Sequence, residues 1–229
     1  MKEQLAKVKK AYDLTVKQFR EGIDPLSVVP EEFKNSMEFK ALCENTEPPL
    51  THSSAPENKA FLNPQKGMKF LDAGCCASLF NYRLDKWPCS YYGVDISTEL
   101  IKAMRDFVAQ ENIDIGGLEV AEITSLPYEG NFFDIASVIG VLEYVDLDYT
   151  ESALTELHRV LKPKARMVVD IPNLDHPLIE TMFKLEEYLN RPNIPKERSE
   201  FERILVSMFK IIKSDDTRVM LKYFVKAVK

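Results

Sequence analysis

From residue 68 onward, short apolar runs alternate with helical patterns, and this alternation constrains the fold more than any other feature of the chain. Five runs have the length and composition of buried strands, at 68–72, 91–95, 118–122, 134–139 and 165–171. Helical spacing of apolar residues is found between or beside them, at 77–86, 97–110 and 150–161. Strands that alternate with helices in this way predict a parallel sheet with helices on both faces.

The C-terminal part of the chain has a different pattern. Two further strand runs, at 209–213 and 220–228, are joined by the short polar segment 214–217. A connection this short suits a hairpin, so these two strands are expected to be antiparallel. The predicted fold class is therefore α/β: a Rossmann-like sheet of seven mostly parallel strands with an antiparallel hairpin at its C-terminal end.

Residues 1–66 precede this core and differ from it in pattern. Helical spacing is found there at 1–21 and 31–44, and the proline-rich stretch 45–66 predicts a loop or linker. We predict that this N-terminal extension packs as a lid on a core domain that comprises residues 67–229. Within the core, the stretch 174–208 is expected to be a helical insert that is part crossover and part lid.

The composition is typical of a globular protein. Of 229 residues, 45% are hydrophobic and 29% are charged, which excludes a wholly disordered chain. The net charge of −6 disfavours a nucleic-acid partner, because such proteins usually carry a basic face. No run of about 18 apolar residues predicts a membrane span. The N-terminus lacks the apolar core of a secretory signal, so a cytoplasmic location is expected. The cysteines show no C-x-x-C spacing, which favours reduced thiols over a metal site.

Acidic residues end the first three strand runs, at Asp72, Asp95 and Glu122. Ligands of open parallel sheets bind beyond the carboxyl ends of the strands, so these acids are expected around one crevice. Gly74 permits a tight turn whose backbone approaches a ligand closely. An acid about 20 residues further on, here Asp95, fits a ribose diol. With Glu122 accepting from an exocyclic amine, the implied ligand is an adenosine with a short charged tail.

Six segments of the chain resemble, in order and spacing, the class I S-adenosylmethionine-dependent methyltransferases, in particular the branch that contains the ubiquinone and menaquinone methyltransferases. They are FLDAG at 70–74, YGVDIS at 92–97, EITSLPY at 122–128, NFFD at 131–134, VLEYV at 141–145 and ELHRVLKP at 156–163. The resemblance implies transfer of a methyl group from S-adenosylmethionine to an acceptor, with S-adenosylhomocysteine as the product. We expect the acceptor to be a small molecule.

The family pattern also implies roles for individual residues. Those that it assigns to the cofactor are Tyr12, Asp72, Gly74, Cys76, Asp95, Ile96, Glu122, Ile123, Ile139 and Gly140. Asp72 and Gly74 would hold the methionine end, Asp95 both ribose hydroxyls and Glu122 the adenine amine. Tyr12 would close over the cofactor, although packing on the sheet with other aromatic residues is an equal alternative.

The glycine turn departs from the family pattern. The second and third glycines of the family are replaced here by Cys76 and Ser78. Both replacements are small, so a cofactor can still approach the turn. The side chain of Cys76 would crowd the ligand if the backbone there has a positive φ angle.

The reaction does not require an obvious catalytic motif, because the sulfonium already activates the methyl group and the protein mainly supplies proximity. Glu143 and Tyr144 follow the fourth strand run and are the candidate catalytic residues, able to orient or deprotonate an acceptor. Glu143 could instead cap or pair at a helix start. His176, after the fifth run, is either a base at the crevice or a solvated loop histidine.

Two other functions stay open at this point. A nicotinamide-dependent oxidoreductase would need G-x-G-x-x-G after the first strand, and Gly74 supplies only the first glycine. A non-catalytic binding or scaffold protein of the same fold is favoured by the altered glycine turn.

Overall fold

Seven strands form one sheet in the part of the chain that the structure, a computed structural model, describes, namely residues 1–45 and 56–229. The strands are β1 (Lys69–Ala73), β2 (Ser90–Asp95), β3 (Gly117–Val120), β4 (Phe133–Val138), β5 (Leu161–Pro172), β6 (Phe209–Asp215) and β7 (Met220–Ala227). Their order across the sheet is β3-β2-β1-β4-β5-β7-β6. The first five pair in parallel, whereas β7 lies antiparallel between β5 and β6. The predicted α/β fold with an antiparallel C-terminal hairpin is confirmed.

The strand order reverses between β1 and β4, which are neighbours in the centre of the sheet. In the register of the sheet, Asp72 of β1 lies beside Gly93 of β2 and Ser137 of β4. The loops that leave β1 and β4 therefore diverge in opposite directions from this point. Such a reversal opens a crevice at the carboxyl ends of the strands.

Helices cover both faces of the sheet, as predicted. They are α1 (Lys2–Arg20), α2 (Glu31–Asn35), α3 (Met37–Asn45), α4 (Pro56–Leu62), α5 (Ser78–Tyr82), α6 (Thr98–Gln110), α7 (Leu147–Val160), α8 (Ile179–Tyr188) and α9 (Arg198–Met208). Successive residues of a strand face opposite sides. Accordingly, Phe70 packs in one core cluster with Ile101 of α6. Leu71 packs in the other cluster with Leu154 of α7 and Phe201 of α9. None of these helices is long and apolar enough to cross a membrane.

The N-terminal extension differs from its prediction in two places. The pattern at 31–44 predicts one helix, but Ser36 is extended, with a ψ of 154°, and separates α2 from α3. The Oγ of Ser36 then accepts the N–H of Phe39 at 3.1 Å, which stabilises the start of α3. The stretch 45–66 predicts a loop, but it contains α4. Pro56 begins that helix, at a position where its missing N–H removes no intrahelical bond. Residues 46–55 of this stretch lie outside the described residues.

Two predicted boundaries near the crevice also differ. The helix expected at 77–86 ends at Tyr82, because Arg83 adopts a left-handed φ of 48°. The third strand ends at Val120, two residues earlier than expected. Its last partner is Asp95, which is also the last residue of β2, so no strand remains there to pair with Glu122. Glu122 therefore lies in the turn that follows β3.

Side-chain caps determine where the helices beside the crevice begin. The Oγ of Ser97 accepts the N–H of Leu100 at 3.1 Å at the start of α6. Asp146 caps α7 by accepting the N–H of Tyr149 at 2.9 Å. For this reason α7 begins at Leu147, before the helical pattern of apolar residues becomes evident in the sequence.

Candidate functional site

Helix α1 and the loops that follow β1 to β4 surround a cavity of about 250 Å³, referred to below as the main cavity. Most of the residues that the family pattern assigns to the cofactor line it, namely Tyr12, Gly74, Cys76, Asp95, Ile96, Ile123, Ile139 and Gly140. Both candidate catalytic residues, Glu143 and Tyr144, line it as well. Asp72 and Glu122 line neighbouring cavities instead.

The turn after β1 is bound to the adjacent strand and requires a glycine. The N–H groups of Gly74 and Cys75 both donate to the carbonyl of Val94, at 2.8 and 2.9 Å. Gly74 has a φ of 75°, and a Cβ atom placed on it would overlap the side chain of Val141. Glycine is thus required at position 74 for both its backbone conformation and its lack of a side chain.

Cys76, two residues after Gly74, has the backbone conformation in which a side chain crowds the site. Cys76 has a φ of 42°, and its side chain lines the main cavity. A residue other than glycine in this region of φ costs about 1–3 kcal/mol. Burial raises the pKa of the Cys76 thiol to about 12, so the thiol is neutral at physiological pH. Position 76 therefore narrows the cavity with an uncharged sulfur atom.

Asp95 lies at the base of the main cavity and holds two loops in place. One carboxylate oxygen accepts the N–H of Cys76 at 2.9 Å, and the other accepts the N–H of Ser97 at 2.8 Å. The residue is 8% exposed, and burial raises its pKa. Each oxygen of a carboxylate can accept more than one hydrogen bond, so Asp95 retains acceptor capacity toward the cavity.

Asp72 lies in a smaller cavity of about 140 Å³ that shares Ser78 and Ile139 with the main cavity. Its carboxylate accepts from the hydroxyls of Tyr91 at 2.9 Å and Ser137 at 2.7 Å. Burial raises the pKa of Asp72 to about 6. Asp72 is thus adjacent to the main cavity without facing it.

Glu122 is exposed and lines an open groove of about 470 Å³. This groove shares Leu5, Ile96 and Ala121 with the main cavity. The sequence predicted that Asp72, Asp95 and Glu122 would surround one crevice. The structure instead distributes them over three adjoining cavities, with Asp95 in the central one.

Helix α1 covers the main cavity through Tyr12. The hydroxyl of Tyr12 lies 3.0 Å from that of Tyr144, which in turn donates to the carboxylate of Glu186 at 3.1 Å. The guanidinium of Arg191 lies over the ring of Tyr12, 4.4 Å from its centroid. Asp13, the next residue of α1, accepts a hydrogen bond of 2.5 Å from the hydroxyl of Ser97. Helix α1 is therefore attached to the core on both sides of the cavity.

Glu143 belongs to a short 3-10 turn, Leu142–Tyr144, and is 6% exposed. Its Oε2 atom is buried and has no hydrogen-bond partner among the described residues. Burial and the nearby carboxylate of Asp170 raise the pKa of Glu143 to about 8. It does not cap α7, because that position is occupied by Asp146.

The insert between β5 and β6 holds this turn in place. The ammonium of Lys196 donates to the carbonyls of Leu142 at 2.5 Å and Ile194 at 3.1 Å. The N–H of Ile194 donates to the carbonyl of Glu143 at 2.8 Å. Burial lowers the pKa of Lys196 to about 8.

The sequence did not indicate the three charged residues that the insert contributes near the site, which are Glu186, Arg191 and Lys196. No spacing or motif marked them, and the only available signal was the unusual length of the insert. His176 has a local role, since its Nδ1 accepts the N–H of Leu178 at 3.2 Å, and it does not line the main cavity. Among the described residues, no three His, Cys, Asp or Glu side chains are grouped as metal ligands.

Comparison with known proteins identifies the domain. Residues 71–169 match the model of a methyltransferase domain family. The chain is 32% identical over 166 residues to an uncharacterised protein of Methanocaldococcus jannaschii, covering 72% of this chain and 65% of that protein. It is 32% identical over 100 residues to the demethylmenaquinone methyltransferase of Lactiplantibacillus plantarum, covering 42% of this chain and 41% of the relative. The chain thus spans less than two thirds of the length of these relatives.

A solved structure shares the fold. The S-adenosylmethionine-dependent methyltransferase structure from Methanosarcina mazei superposes with a TM-score of 0.63 at 18% identity, covering 77% of this chain and 99% of that one. At this identity the likeness concerns the fold alone. Residues 71–169 are thus similar to a methyltransferase domain, and the strand order is part of a fold that the chain shares with the S-adenosylmethionine-dependent methyltransferase structure.

Proposed function

We propose that the protein transfers a methyl group from S-adenosylmethionine to a small-molecule acceptor. The observation that carries this proposal is the position of Asp95, buried at the switch point of the sheet and hydrogen-bonded to the amide of Cys76 in the turn after β1. An acid in this position beside a glycine turn fits the two hydroxyls of a ribose.

The three adjoining cavities fit a nucleoside with an amino-acid tail. The main cavity alone is smaller than the roughly 300–1,000 Å³ of typical ligand sites, but the groove beside it extends the available space. Asp95 would accept from the ribose, and Ile96 would lie against the adenine, which would extend toward Glu122. Gly74, Ile139 and Gly140 would line the methionine end, with Asp72 beyond Ser78.

The protein's own groups then position and enclose the reactants. The bound cofactor supplies a methyl group that a sulfonium already activates. Tyr12 and α1 would close the cavity and exclude water, while Tyr144 and Glu143 would orient the acceptor. Correct placement of two reactants is worth up to about 7–11 kcal/mol.

A small acceptor suits the narrow main cavity and the relationship to a demethylmenaquinone methyltransferase. A cytoplasmic location is part of the proposal. Cys75, Cys76 and Cys89 are thiols rather than disulfides, which suits a reducing compartment. A nicotinamide-dependent oxidoreductase has no comparable support, because β7 is antiparallel and the turn holds only one of the three required glycines.

Isothermal titration with S-adenosylmethionine and S-adenosylhomocysteine tests the proposal. We expect micromolar binding of both, and a loss of about 2–4 kcal/mol in Asp95→Ala if the ribose bonds are charge-assisted. Asp114→Ala removes an exposed acid elsewhere and should bind like the wild type. An affinity that is unchanged in Asp95→Ala would refute the role of this residue.

One observation favours the alternative of a non-catalytic binding or scaffold protein. Cys76 places a thiol in the main cavity on a backbone of positive φ, where the family has a glycine. If the folded wild-type protein binds neither compound, this alternative replaces the enzyme.

A further inference from the structure

The charged groups that line the main cavity are of one sign. Its only ionisable carboxylates are Asp95 and Glu143, and no lysine or arginine of the described residues lines it. The main cavity is also lined by the rings of Tyr12, Tyr144 and Tyr149. An anionic acceptor would meet acids without a compensating cation, whereas a cationic acceptor would meet carboxylates and aromatic faces.

Glu143, which lines the main cavity, has a carboxylate oxygen that can accept a further hydrogen bond. The residue is 94% buried, and its Oε2 has no partner among residues 1–45 and 56–229. A buried acceptor without a donor destabilises the protein. A ligand that brings an N–H donor to Oε2 recovers this free energy.

Among the described residues, no charged group near Glu143 donates a hydrogen bond to its Oε2 atom. Asp170 and Glu186 add negative charge, which together with burial keeps the pKa of Glu143 high. Lys196 directs its ammonium to two backbone carbonyls. Arg191 lies over the ring of Tyr12 and beside Glu186, outside the lining of the cavity.

We propose that the acceptor is a small amine, which enters as an ammonium and donates a hydrogen bond to Oε2 of Glu143. This inference rests on the proposed methyl transfer and names the chemical class of its acceptor. An amine belongs to a different chemical class from the demethylmenaquinone after which the related methyltransferase is named.

The chemistry balances without a further reactant. Glu143 retains its proton up to about pH 8 in the free protein, and it releases this proton to water as the positively charged ammonium binds beside it. The ammonium then transfers one proton to the resulting Glu143 carboxylate and becomes a neutral amine. The nitrogen lone pair then forms the N–C bond as the C–S bond breaks, and the electrons of that bond return to sulfur. The products are an N-methylammonium and the neutral thioether S-adenosylhomocysteine, and Glu143 later releases its proton to water. A raised pKa makes Glu143 a better base for this transfer.

The test uses three probes of similar shape and different charge: benzylamine, benzyl alcohol and benzoate. Each is titrated calorimetrically into the full chain saturated with S-adenosylhomocysteine, first for the wild type and then for Glu143→Gln. We expect the wild type to bind benzylamine at least about tenfold more tightly than the other two probes. Glu143→Gln, an isosteric change, should abolish this preference. Glu187→Gln, at an exposed position of α8, should retain it.

Several results would overturn the inference: equal binding of the three probes, no binding of any probe, or an amine preference that persists in Glu143→Gln. If Glu143 instead interacts only with the sulfonium of S-adenosylmethionine, the wild type shows no preference for the amine. In that case Glu143→Gln weakens the binding of S-adenosylmethionine relative to that of S-adenosylhomocysteine. Failure of S-adenosylhomocysteine itself to bind would refute the proposed function as well, so the two failures are distinguishable. Thermal unfolding of Glu143→Gln verifies that the variant is folded.

Discussion

The carboxylate of Asp95, at the end of β2, accepts the backbone N–H of Cys76, in the turn after β1, at 2.9 Å. The acid proposed to bind the ribose therefore also holds the turn proposed to face the methionine end. A change at Asp95 therefore also removes an acceptor from the turn, so Asp95→Asn, which retains an oxygen acceptor, is the appropriate companion to Asp95→Ala in binding experiments.

Replacing Cys76 by glycine is expected to tighten the binding of S-adenosylhomocysteine severalfold. The change removes a side chain from the main cavity and so enlarges the space for the ligand. It also relieves a backbone with φ of 42°, a strain of about 1–3 kcal/mol that affects the stability of the fold. Calorimetric titration measures the effect, with Cys89→Ala as a control outside the cavity lining. Weaker binding by Cys76→Gly would mean that the thiol contributes contacts to the ligand.

Replacing Gly74 by alanine is expected to destabilise the fold and abolish cofactor binding. The new Cβ would overlap the side chain of Val141, and the φ of 75° would add about 1–3 kcal/mol of strain. Urea unfolding measures the free energy of unfolding. The double variant Gly74→Ala/Val141→Ala should regain part of the loss, because only the overlap is relieved. No recovery would show that backbone strain dominates.

Replacing Tyr12 by phenylalanine is expected to loosen α1 over the main cavity. The variant loses the hydroxyl contact with Tyr144 at 3.0 Å, worth about 0.5–1.5 kcal/mol, while Tyr144 keeps its bond to Glu186. Hydrogen exchange of the α1 amides should accelerate. Leu14→Ala, on the exposed side of the same helix, should leave this exchange nearly unchanged. Equal protection in Tyr12→Phe and the wild type would argue against α1 as a closing element.

Glu143 should make the stability of the protein depend on pH. Burial and Asp170 raise the pKa of its carboxyl from 4.5 to about 8 in the folded state. Between these values the unfolded chain has released the proton and the folded protein retains it. The free energy of unfolding therefore decreases as pH rises, by up to about 1.4 kcal/mol per pH unit.

Glu143→Gln cannot titrate and isolates this effect. We expect the stability of the variant relative to the wild type to increase from about pH 5 to pH 8 and to level off above that. Urea unfolding of both proteins across this range measures the difference. A difference that does not change with pH would show that Glu143 has an ordinary pKa.

Local patterns in the sequence were sufficient to predict the sheet and two of the residues that line the main cavity. The alternation of strand and helix patterns predicted the fold because each face of a sheet must be covered by helices. Gly74 and Asp95 were predictable because a turn and a strand end are properties of a few adjacent residues.

Exact strand ends and side-chain directions required the tertiary structure. Glu122 lies outside the main cavity because β2 has no residue left to pair with it. Asp72 turns into a separate cavity because it shares hydrogen bonds with Tyr91 and Ser137 on the two neighbouring strands. Neither cause is visible in a window of adjacent residues.

The sequence by itself determined the order of the strands and helices and the positions of Gly74 and Asp95, since these depend on local periodicity and turn chemistry. Only the tertiary structure placed Lys196 on the turn that carries Glu143, and Glu186 and Arg191 beside Tyr144 and Tyr12. The hydrogen-bonded partners Tyr144 and Glu186 are 42 residues apart in the sequence, and Leu142 and Lys196 are 54 residues apart. Contacts over such distances arise from the packing of the insert on the sheet, which no spacing within a single segment encodes.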